Sequence, residues 1–161
     1  MKRPQYESGT DRYHEAMMAR RIEAAWGVSL EKLPKSYALD FAAIRDGSIV
    51  GWIEVKRRAL RPEYDTIMLS VGKWRAGHSL AMTTSIGWVF VVEDRESGML
   101  WWVDCSAFME QGVEVDVEWG GRTAATRDSA DIEPVVHLPR DTFKRLNNFT
   151  SSDLAAAGFI V

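Results

Sequence analysis

Two acidic residues and a lysine occupy segments that otherwise have the composition of buried β-strands. Asp40 lies in the mostly apolar run 37–44, and Glu54 and Lys56 lie in the run 49–56. An unpaired carboxylate is unfavourable in a protein interior, so folds retain one where a cation or hydrogen bonds compensate its charge. A divalent metal ion is such a cation. The two carboxylates are therefore candidate metal ligands, with a lysine beside them.

The relative orientation of these side chains depends on the turn between the two runs. Side chains alternate faces along a strand, so Glu54 projects from the same face as Lys56. The segment 45–48, with the sequence RDGS, predicts a hairpin. We expect a three-residue loop that ends with its glycine in the left-handed region and brings Asp40 to this face. A two-residue loop would place Asp40 on the other face, unless a β-bulge near Gly51 restored the shared face.

These residues resemble the motif of the PD-(D/E)XK nuclease superfamily, whose core carries an Asp on one strand and an Asp/Glu-X-Lys tripeptide on the next. Asp40 matches the first position and Glu54-Val55-Lys56 matches the tripeptide, whereas Leu39 stands where the family frequently has proline. The resemblance covers roughly the first two thirds of the chain. It implies hydrolysis of phosphodiester bonds with Mg²⁺ or Mn²⁺ and without an organic cofactor.

The chemistry of phosphodiester hydrolysis accounts for the residue types. Mg²⁺ held by Asp40 and Glu54 would activate a water and stabilise the leaving oxygen. Lys56 would orient or help deprotonate that water and neutralise charge on the phosphoryl oxygens. The resemblance implies the backbone carbonyl of Val55 as a further ligand. For the tripeptide taken alone, an exposed charge pair between its acid and its lysine is the competing interpretation.

A third acid often comes from the first helix of that superfamily. The sequence predicts this helix over about residues 10–26, with a capping-box-like start at 8–11 and an end near Gly27. At about 100° per residue, Glu15 falls on the apolar stripe and Glu23 at its flank. Glu15 is thus the candidate catalytic and metal-binding acid, and Glu23 is the alternative. Glu15 fits equally well as a residue that complements the helix dipole.

A second helix offers another candidate catalytic residue. The run 64–69 predicts a strand, and Ser70 is a candidate N-cap for a helix that continues to about residue 83. Lys73 lies in the first turn of that helix. The superfamily often places a Lys or Gln that assists the active site here, so the resemblance implies such a role for Lys73. A solvent-facing lysine is the alternative.

Arginines provide candidate contacts to nucleic acid, because phosphate neutralisation dominates the affinity of DNA-binding proteins. One group follows the tripeptide, and the other lies in a predicted long loop at 119–131. Ordinary surface positions are the competing interpretation for both groups, and the net charge of −3 argues against a strongly basic DNA-binding surface. The candidate DNA-binding residues are Arg57, Arg58, Arg61, Arg122 and Arg127.

The order of predicted elements is helix, strand, strand, strand, helix, strand, strand. The apolar run 86–92 predicts a central strand, and 99–103 predicts its neighbour. We therefore predict an α/β fold with a restriction-endonuclease-like core, in which helices flank a mixed β-sheet. The tryptophans of these two runs are expected to pack in the core.

A length of 161 residues with 46% hydrophobic composition suits one domain, with its core at about 8–108. The remaining residues, about 109–161, predict an irregular extension with an edge strand at 133–139 and a short helix at 140–146. The single cysteine, Cys105, is expected to be a buried thiol in a reducing cytoplasm. No apolar run has the length of about 18 residues that spans a bilayer, which predicts no membrane partner.

The residues and the resemblance together predict a stand-alone Mg²⁺-dependent nuclease that cuts DNA. Its size suits repair, recombination or degradation of DNA in a phage or mobile element, in the host cytoplasm if a phage encodes it. Compact nucleases of this kind often act as homodimers. Endonuclease, exonuclease and junction-resolving activities are all compatible with these residues, as are DNA and RNA substrates. The alternative is a catalytically inactive module that binds nucleic acid or protein on the same fold.

Overall fold

The computed structural model describes residues 9–110, 115–121 and 132–146. Short 3₁₀ turns at Lys35–Tyr37 and Arg140–Thr142 connect some of the helices and strands. In chain order, these elements are α1 (Gly9–Trp26), β1 (Ser29–Lys32), β2 (Phe41–Arg45), β3 (Ser48–Arg58), β4 (Thr66–Ser70), α2 (Val71–Thr84), β5 (Trp88–Asp94), β6 (Leu100–Asp104), α3 (Cys105–Glu110), β7 (Asp116–Gly121), β8 (Ile132–Pro139) and β9 (Lys144–Arg145).

The main sheet has six strands in the order β1-β2-β3-β5-β6-β9. Strands β3 and β5 pair in parallel, and the other pairs are antiparallel, so the sheet is mixed. Helix α1 covers one face, where its residues Met18 and Ile22 pack with Val55 of β3. Trp88 and Trp52 project from the other face, which α2 covers. The fold is therefore α/β, with a restriction-endonuclease-like core of helices on a mixed sheet.

Local sequence signals account for the elements nearest the centre. Helix α1 ends at Gly27, whose φ of 62° is the left-handed conformation that glycine adopts easily after a helix. Ser70 caps α2 by accepting a hydrogen bond from the backbone N–H of Lys73 at 3.2 Å. Strand β5 is buried on both faces over 88–93, as its continuous apolar sequence predicts. These predictions are confirmed.

A second sheet has three strands in the order β4-β8-β7. The prediction that 133–139 forms an edge strand is wrong, because β8 lies between β4 and β7. The two prolines of β8 are accommodated by unequal overlap of the neighbouring strands. Pro134 pairs only with β7 and Pro139 only with β4. Each proline thus lies at a position where β8 pairs with only one neighbouring strand. Its missing N–H therefore costs no hydrogen bond to a strand on the other side.

The predicted helix at 140–146 is also wrong. After a 3₁₀ turn at Arg140–Thr142, the chain extends and forms β9, which pairs with β6 at the edge of the main sheet. Phe143 and Leu146 are buried by this arrangement. Their spacing of three residues resembles a helical stripe, but an available sheet edge gives the backbone of the same segment ladder hydrogen bonds. Strand β1, which no sequence pattern indicated, covers the opposite edge.

The sequence predicts a buried thiol at Cys105 and core positions for the tryptophans of β5 and β6. Cys105 is fully buried, as expected, and its pKa is raised well above its usual range by burial. Trp88 and Trp102 lie in the core. Within the described residues, no helix is both long enough and apolar enough to cross a bilayer.

Candidate active site

The turn between β2 and β3 differs from the expected one. Arg45 pairs with Ser48, so the loop contains only two residues, Asp46 and Gly47. Both have positive φ, 51° and 77°, which is typical of a type I′ turn whose twist matches that of the strands. The prediction of a three-residue loop is therefore wrong. With this loop alone, the two acids would lie on opposite faces.

A β-bulge restores the shared face. The pairing of β2 with β3 shifts by one residue between Ala43 and Ile44, which leaves Val50 as the extra residue of β3. Beyond the bulge, the register places Asp40 opposite Glu54, and directly opposed residues of neighbouring strands project from the same face. The bulge is the alternative that the sequence left open, and it is the feature that brings the two carboxylates together.

Asp40 is fixed at the end of β2 by its neighbours on β3. Its Oδ2 accepts a hydrogen bond from the backbone N–H of Val55 at 2.9 Å, and its own N–H donates to the carbonyl of Ile53 at 3.1 Å. Its Oδ1 lies 3.5 Å from the ammonium of Lys32. One carboxylate oxygen is therefore held by the backbone, and the other faces a cation.

Glu54 is the most unusual acid in the described part of the chain, because its side chain is 0% exposed. Its Oε2 accepts a hydrogen bond from the Lys73 ammonium at 3.0 Å. Its Oε1 lies 3.5 Å from the Lys56 ammonium and has no hydrogen-bond partner. Buried polar atoms are nearly always hydrogen-bonded, so an exception requires an explanation. A cation bound at Oε1 is one.

Burial, and after it the negative charge of Asp40, raise the pKa of Glu54 from 4.5 to about 7. Lys56 and Lys73 oppose the shift, because each ammonium favours the ionised carboxylate. The carboxyl group is thus held close to the balance between its neutral and ionised forms near pH 7. A divalent cation would shift that balance to the carboxylate.

The two lysines reach Glu54 from different elements. Lys56 follows it by two positions on β3 and therefore lies on the same face. Lys73 comes from the first turn of α2, which the Ser70 cap fixes. The structure thus brings Lys73 to Glu54, and the alternative of a solvent-facing lysine does not describe its position.

The two candidate helix acids have different surroundings. Glu23 accepts a hydrogen bond from the backbone N–H of Leu30 at 3.0 Å and so anchors β1 to α1. Glu15 pairs with the ammonium of Lys32, which also lies near Asp40. Glu15 therefore approaches Asp40 through a lysine. Within the described residues, no three His, Cys, Asp or Glu side chains come close enough to form a metal-binding group.

Lys32 is a site residue that the sequence interpretation missed. It is the last residue of β1, a strand that carries no alternating pattern and is mostly exposed. No spacing relates it to the Glu-X-Lys tripeptide. Only the pairing of β1 with β2, in which Lys32 lies opposite Phe41, places its ammonium beside Asp40.

The candidate DNA-binding arginines are separated by the fold. Arg57 lies on the face opposite Glu54 and pairs with Glu93 at 2.8 Å. Arg58 lies on the same face as Glu54, since four positions separate them on β3. Arg61 is exposed in the loop after β3. Arg122 and Arg127 lie outside the described residues.

A nuclease-like core with two carboxylates and two lysines at its centre agrees with the comparison to known families. The chain matches the model of the family described as "Phage putative PDDEXK endonuclease" over residues 1–146. The chain therefore belongs to this family of PD-(D/E)XK nucleases, which confirms the resemblance of its motif. A search of curated proteins finds no match.

Proposed function

We propose that this protein is a Mg²⁺- or Mn²⁺-dependent nuclease that hydrolyses phosphodiester bonds of DNA. The observation that carries the proposal is the fully buried Glu54, whose Oε1 has no hydrogen-bond partner, on the same sheet face as Asp40. A purely structural carboxylate in this position would be expected to have both oxygens hydrogen-bonded. Membership of a nuclease family supports a catalytic explanation for this arrangement.

The proposed metal ligands are Asp40 through Oδ1, Glu54 through Oε1, and the backbone carbonyl of Val55. The oxygen donors suit a hard cation such as Mg²⁺, and the orphaned oxygen of Glu54 fits a ligand that lacks its partner. When bound, the metal ion supplies Lewis-acid activation of water and neutralises charge on the phosphate. Oδ2 of Asp40 would not be a ligand, since it accepts from the Val55 N–H.

The lysines have distinct proposed roles. Lys56 is half-exposed and lies 3.5 Å from Oε1, on the solvent side of the carboxylate. It would orient the attacking water and stabilise negative charge on the phosphoryl oxygens. Lys73 binds the other oxygen, Oε2, and so would hold the carboxylate with Oε1 directed at the metal position. Glu15 would act on Asp40 through Lys32, as a positioning residue rather than a direct ligand.

The family description supports a phage setting for the proposed activity. We propose that the chain folds as one domain over 1–161, acts on phage or mobile-element DNA in repair, recombination or degradation, and works in the host cytoplasm. Arg58, Arg61, Arg122 and Arg127 are the proposed DNA contacts, together with Arg57 if its pairing with Glu93 opens. A homodimer is the proposed assembly.

The direct test is cleavage of supercoiled, linear, single-stranded and branched DNA in Mg²⁺, Mn²⁺ or EDTA. Asp40→Asn and Glu54→Gln are expected to abolish cleavage, because each removes a ligand charge with little change in shape. Lys56→Ala should also be inactive but should still bind metal. Glu96→Gln is the matched control, since this acid is exposed in the turn after β5 and is neither a proposed metal ligand nor a proposed DNA contact.

The outcomes separate the proposal from its alternative. Metal-dependent cleavage that is lost in the two ligand variants and retained in Glu96→Gln supports the nuclease. DNA binding without cleavage in any metal would instead identify an inactive module on the same fold. Cleavage at near wild-type rate by purified Glu54→Gln would contradict the proposal, because Glu54 is its central metal ligand.

A further inference from the structure

A basic cavity lies beyond the carboxyl end of β3, at some distance from the two carboxylates. It has a volume of about 480 Å³. Its walls come from the end of β3 and the loop that follows it, from β4, and from β8. Among the described residues that line it, none is Asp or Glu. The cationic lining residues are Arg58, Arg61, Arg95 and Arg140, and we call this cavity the arginine pocket.

The arginine pocket is aligned with the candidate active site. Arg58 projects from the same face of β3 as Glu54 and Lys56, because the three residues are spaced by two. At about 3.3 Å per residue, the Cα atoms of Arg58 and Glu54 are about 13 Å apart. This distance is short enough for one DNA strand to reach both places.

The charges in the arginine pocket are incompletely compensated. The Nε of Arg58 is buried and has no hydrogen-bond partner. Burial lowers the pKa of Arg58, and the positive charge of Arg95 lowers this pKa as well, while Glu133 and Glu54 oppose the shift. The backbone N–H of Arg95 donates to the carbonyl of Arg58 at 2.9 Å, which fixes the two arginines as neighbours. An anion between them would relieve the repulsion.

Arg140 holds part of the wall of the arginine pocket in place. The guanidinium of Arg140 donates to the carbonyl oxygens of Leu60 at 3.3 Å, Arg61 at 2.8 Å and Tyr64 at 3.3 Å. These bonds hold the loop after β3 against β8. Arg140 is therefore a positioning residue, and the donors left for a ligand are those of Arg58, Arg61 and Arg95.

We propose that the arginine pocket binds a phosphate group of the DNA strand, at a position removed from the bond that is cut. Guanidinium groups match phosphate oxygens with paired N–H donors and remain charged when partly buried, which explains the use of arginine rather than lysine. This inference rests on the proposed nuclease function. The phosphate is either an internal phosphodiester of a passing strand or a terminal phosphate of a strand end.

The test measures binding of fluorescent DNA oligonucleotides by the full chain in EDTA, where cleavage is absent. Arg58→Gln and Arg95→Gln are each expected to weaken binding on the order of tenfold, the loss for one charge-assisted hydrogen bond. Each variant should also lower the slope of log affinity against log salt by about one. Arg20→Gln is the control, because it removes the same charge from the exposed side of α1.

Four oligonucleotide forms distinguish the sources of the phosphate: a 5′-phosphorylated strand, a 3′-phosphorylated strand, an unphosphorylated strand and a circle. A terminal phosphate is identified if phosphorylation of one end strengthens binding by wild type and this gain disappears in the two variants. An internal phosphodiester is identified if the variants lose affinity for all four forms by the same factor. Either result supports the arginine pocket.

The proposal is overturned if Arg58→Gln and Arg95→Gln bind all four forms as tightly as Arg20→Gln does. Stabilisation of the fold by Ca²⁺, measured by thermal melting, separates this failure from failure of the nuclease proposal. The two arginine variants should keep the Ca²⁺ shift, since neither residue is a proposed metal ligand. Loss of DNA binding with an intact Ca²⁺ shift supports the arginine pocket, whereas absence of the shift in wild type counts against the metal site.

Discussion

Replacement of Glu54 by Gln should stabilise the metal-free protein at the same time as it abolishes cleavage. Burial and the charge of Asp40 raise the pKa of Glu54 to about 7 from an ordinary value of 4.5. At about 1.36 kcal/mol per pKa unit, this difference means that the ionised carboxylate disfavours the fold by about 3 kcal/mol relative to its neutral form. The side chain is fully buried, so solvent does not screen this effect.

The sign of the pH dependence follows from proton linkage. Between pH 4.5 and about 7, the folded state keeps the proton of Glu54 and the unfolded state loses it. The contribution of Glu54 to the free energy of unfolding of the metal-free wild type therefore falls as pH rises through this window. Gln has no proton to lose and keeps nearly the same shape. The variant should match wild type at pH 4.5 and exceed it by about 3 kcal/mol at pH 8.

The assay is urea and thermal unfolding of both proteins in EDTA from pH 4.5 to 8, at constant ionic strength. A difference of about 3 kcal/mol corresponds to about 6–12 °C in Tm for a chain of this size. Other groups also titrate here, since burial raises the pKa of Asp104 to about 6. Asp104 is common to both proteins, so its own titration cancels in the difference between them.

The same unfolding measurements are repeated with Ca²⁺, which should favour wild type over the variant. Ca²⁺ at about 100 times its dissociation constant should stabilise wild type by about 2.7 kcal/mol and stabilise Glu54→Gln much less. The reasoning is refuted if the difference between variant and wild type in EDTA is the same at pH 4.5 and pH 8. It is also refuted if Ca²⁺ stabilises the two proteins equally.

Two further predictions concern packing and the cation beside the site. Gly77→Ala should destabilise the fold by about 1–3 kcal/mol in urea unfolding, because its Cβ would overlap the Trp88 ring, whereas Gly72→Ala, with only a 4.0 Å neighbour, should be neutral or stabilising. Equal effects of the two changes would contradict the close packing of α2 on the sheet. Lys32→Met should tighten Mn²⁺ binding in calorimetry, because the ammonium competes with a metal ion for Asp40; unchanged or weaker binding would contradict this.

Much of the core was predictable because it depends on local patterns. The apolar stripe of α1, the Ser70 cap and the continuous apolar sequence of β5 each express a preference of a short segment. The shared face of Glu54 and Lys56 likewise follows from the two-residue period of a strand. These features required no knowledge of neighbouring elements.

The relation between Asp40 and Glu54 was not fixed by local patterns. The Asp-Gly turn favoured by its own sequence would have put the acids on opposite faces, and the bulge at Val50 reversed that outcome. A bulge depends on how two strands fit each other and the core, so the sequence could name it only as an alternative.

The edges of the two sheets show the same limit. The segment 133–139 was expected at an edge, but β8 pairs with β4 on one side and with β7 on the other. The segment Lys144–Arg145 became a strand because β6 offered a free edge. The available pairing partners, rather than intrinsic propensity, determined the positions of both segments in the sheets.

The sequence by itself indicated the candidate catalytic residues, which are two acids and the lysine of the tripeptide, and the helices that surround them. Only the tertiary structure determined their partners, namely Lys73 on Oε2 of Glu54, Lys32 between Glu15 and Asp40, and the arginines gathered beyond β3. The physical reason is that residue type and spacing control backbone conformation over a few residues. Contacts between distant segments depend on the register and packing of whole strands and helices.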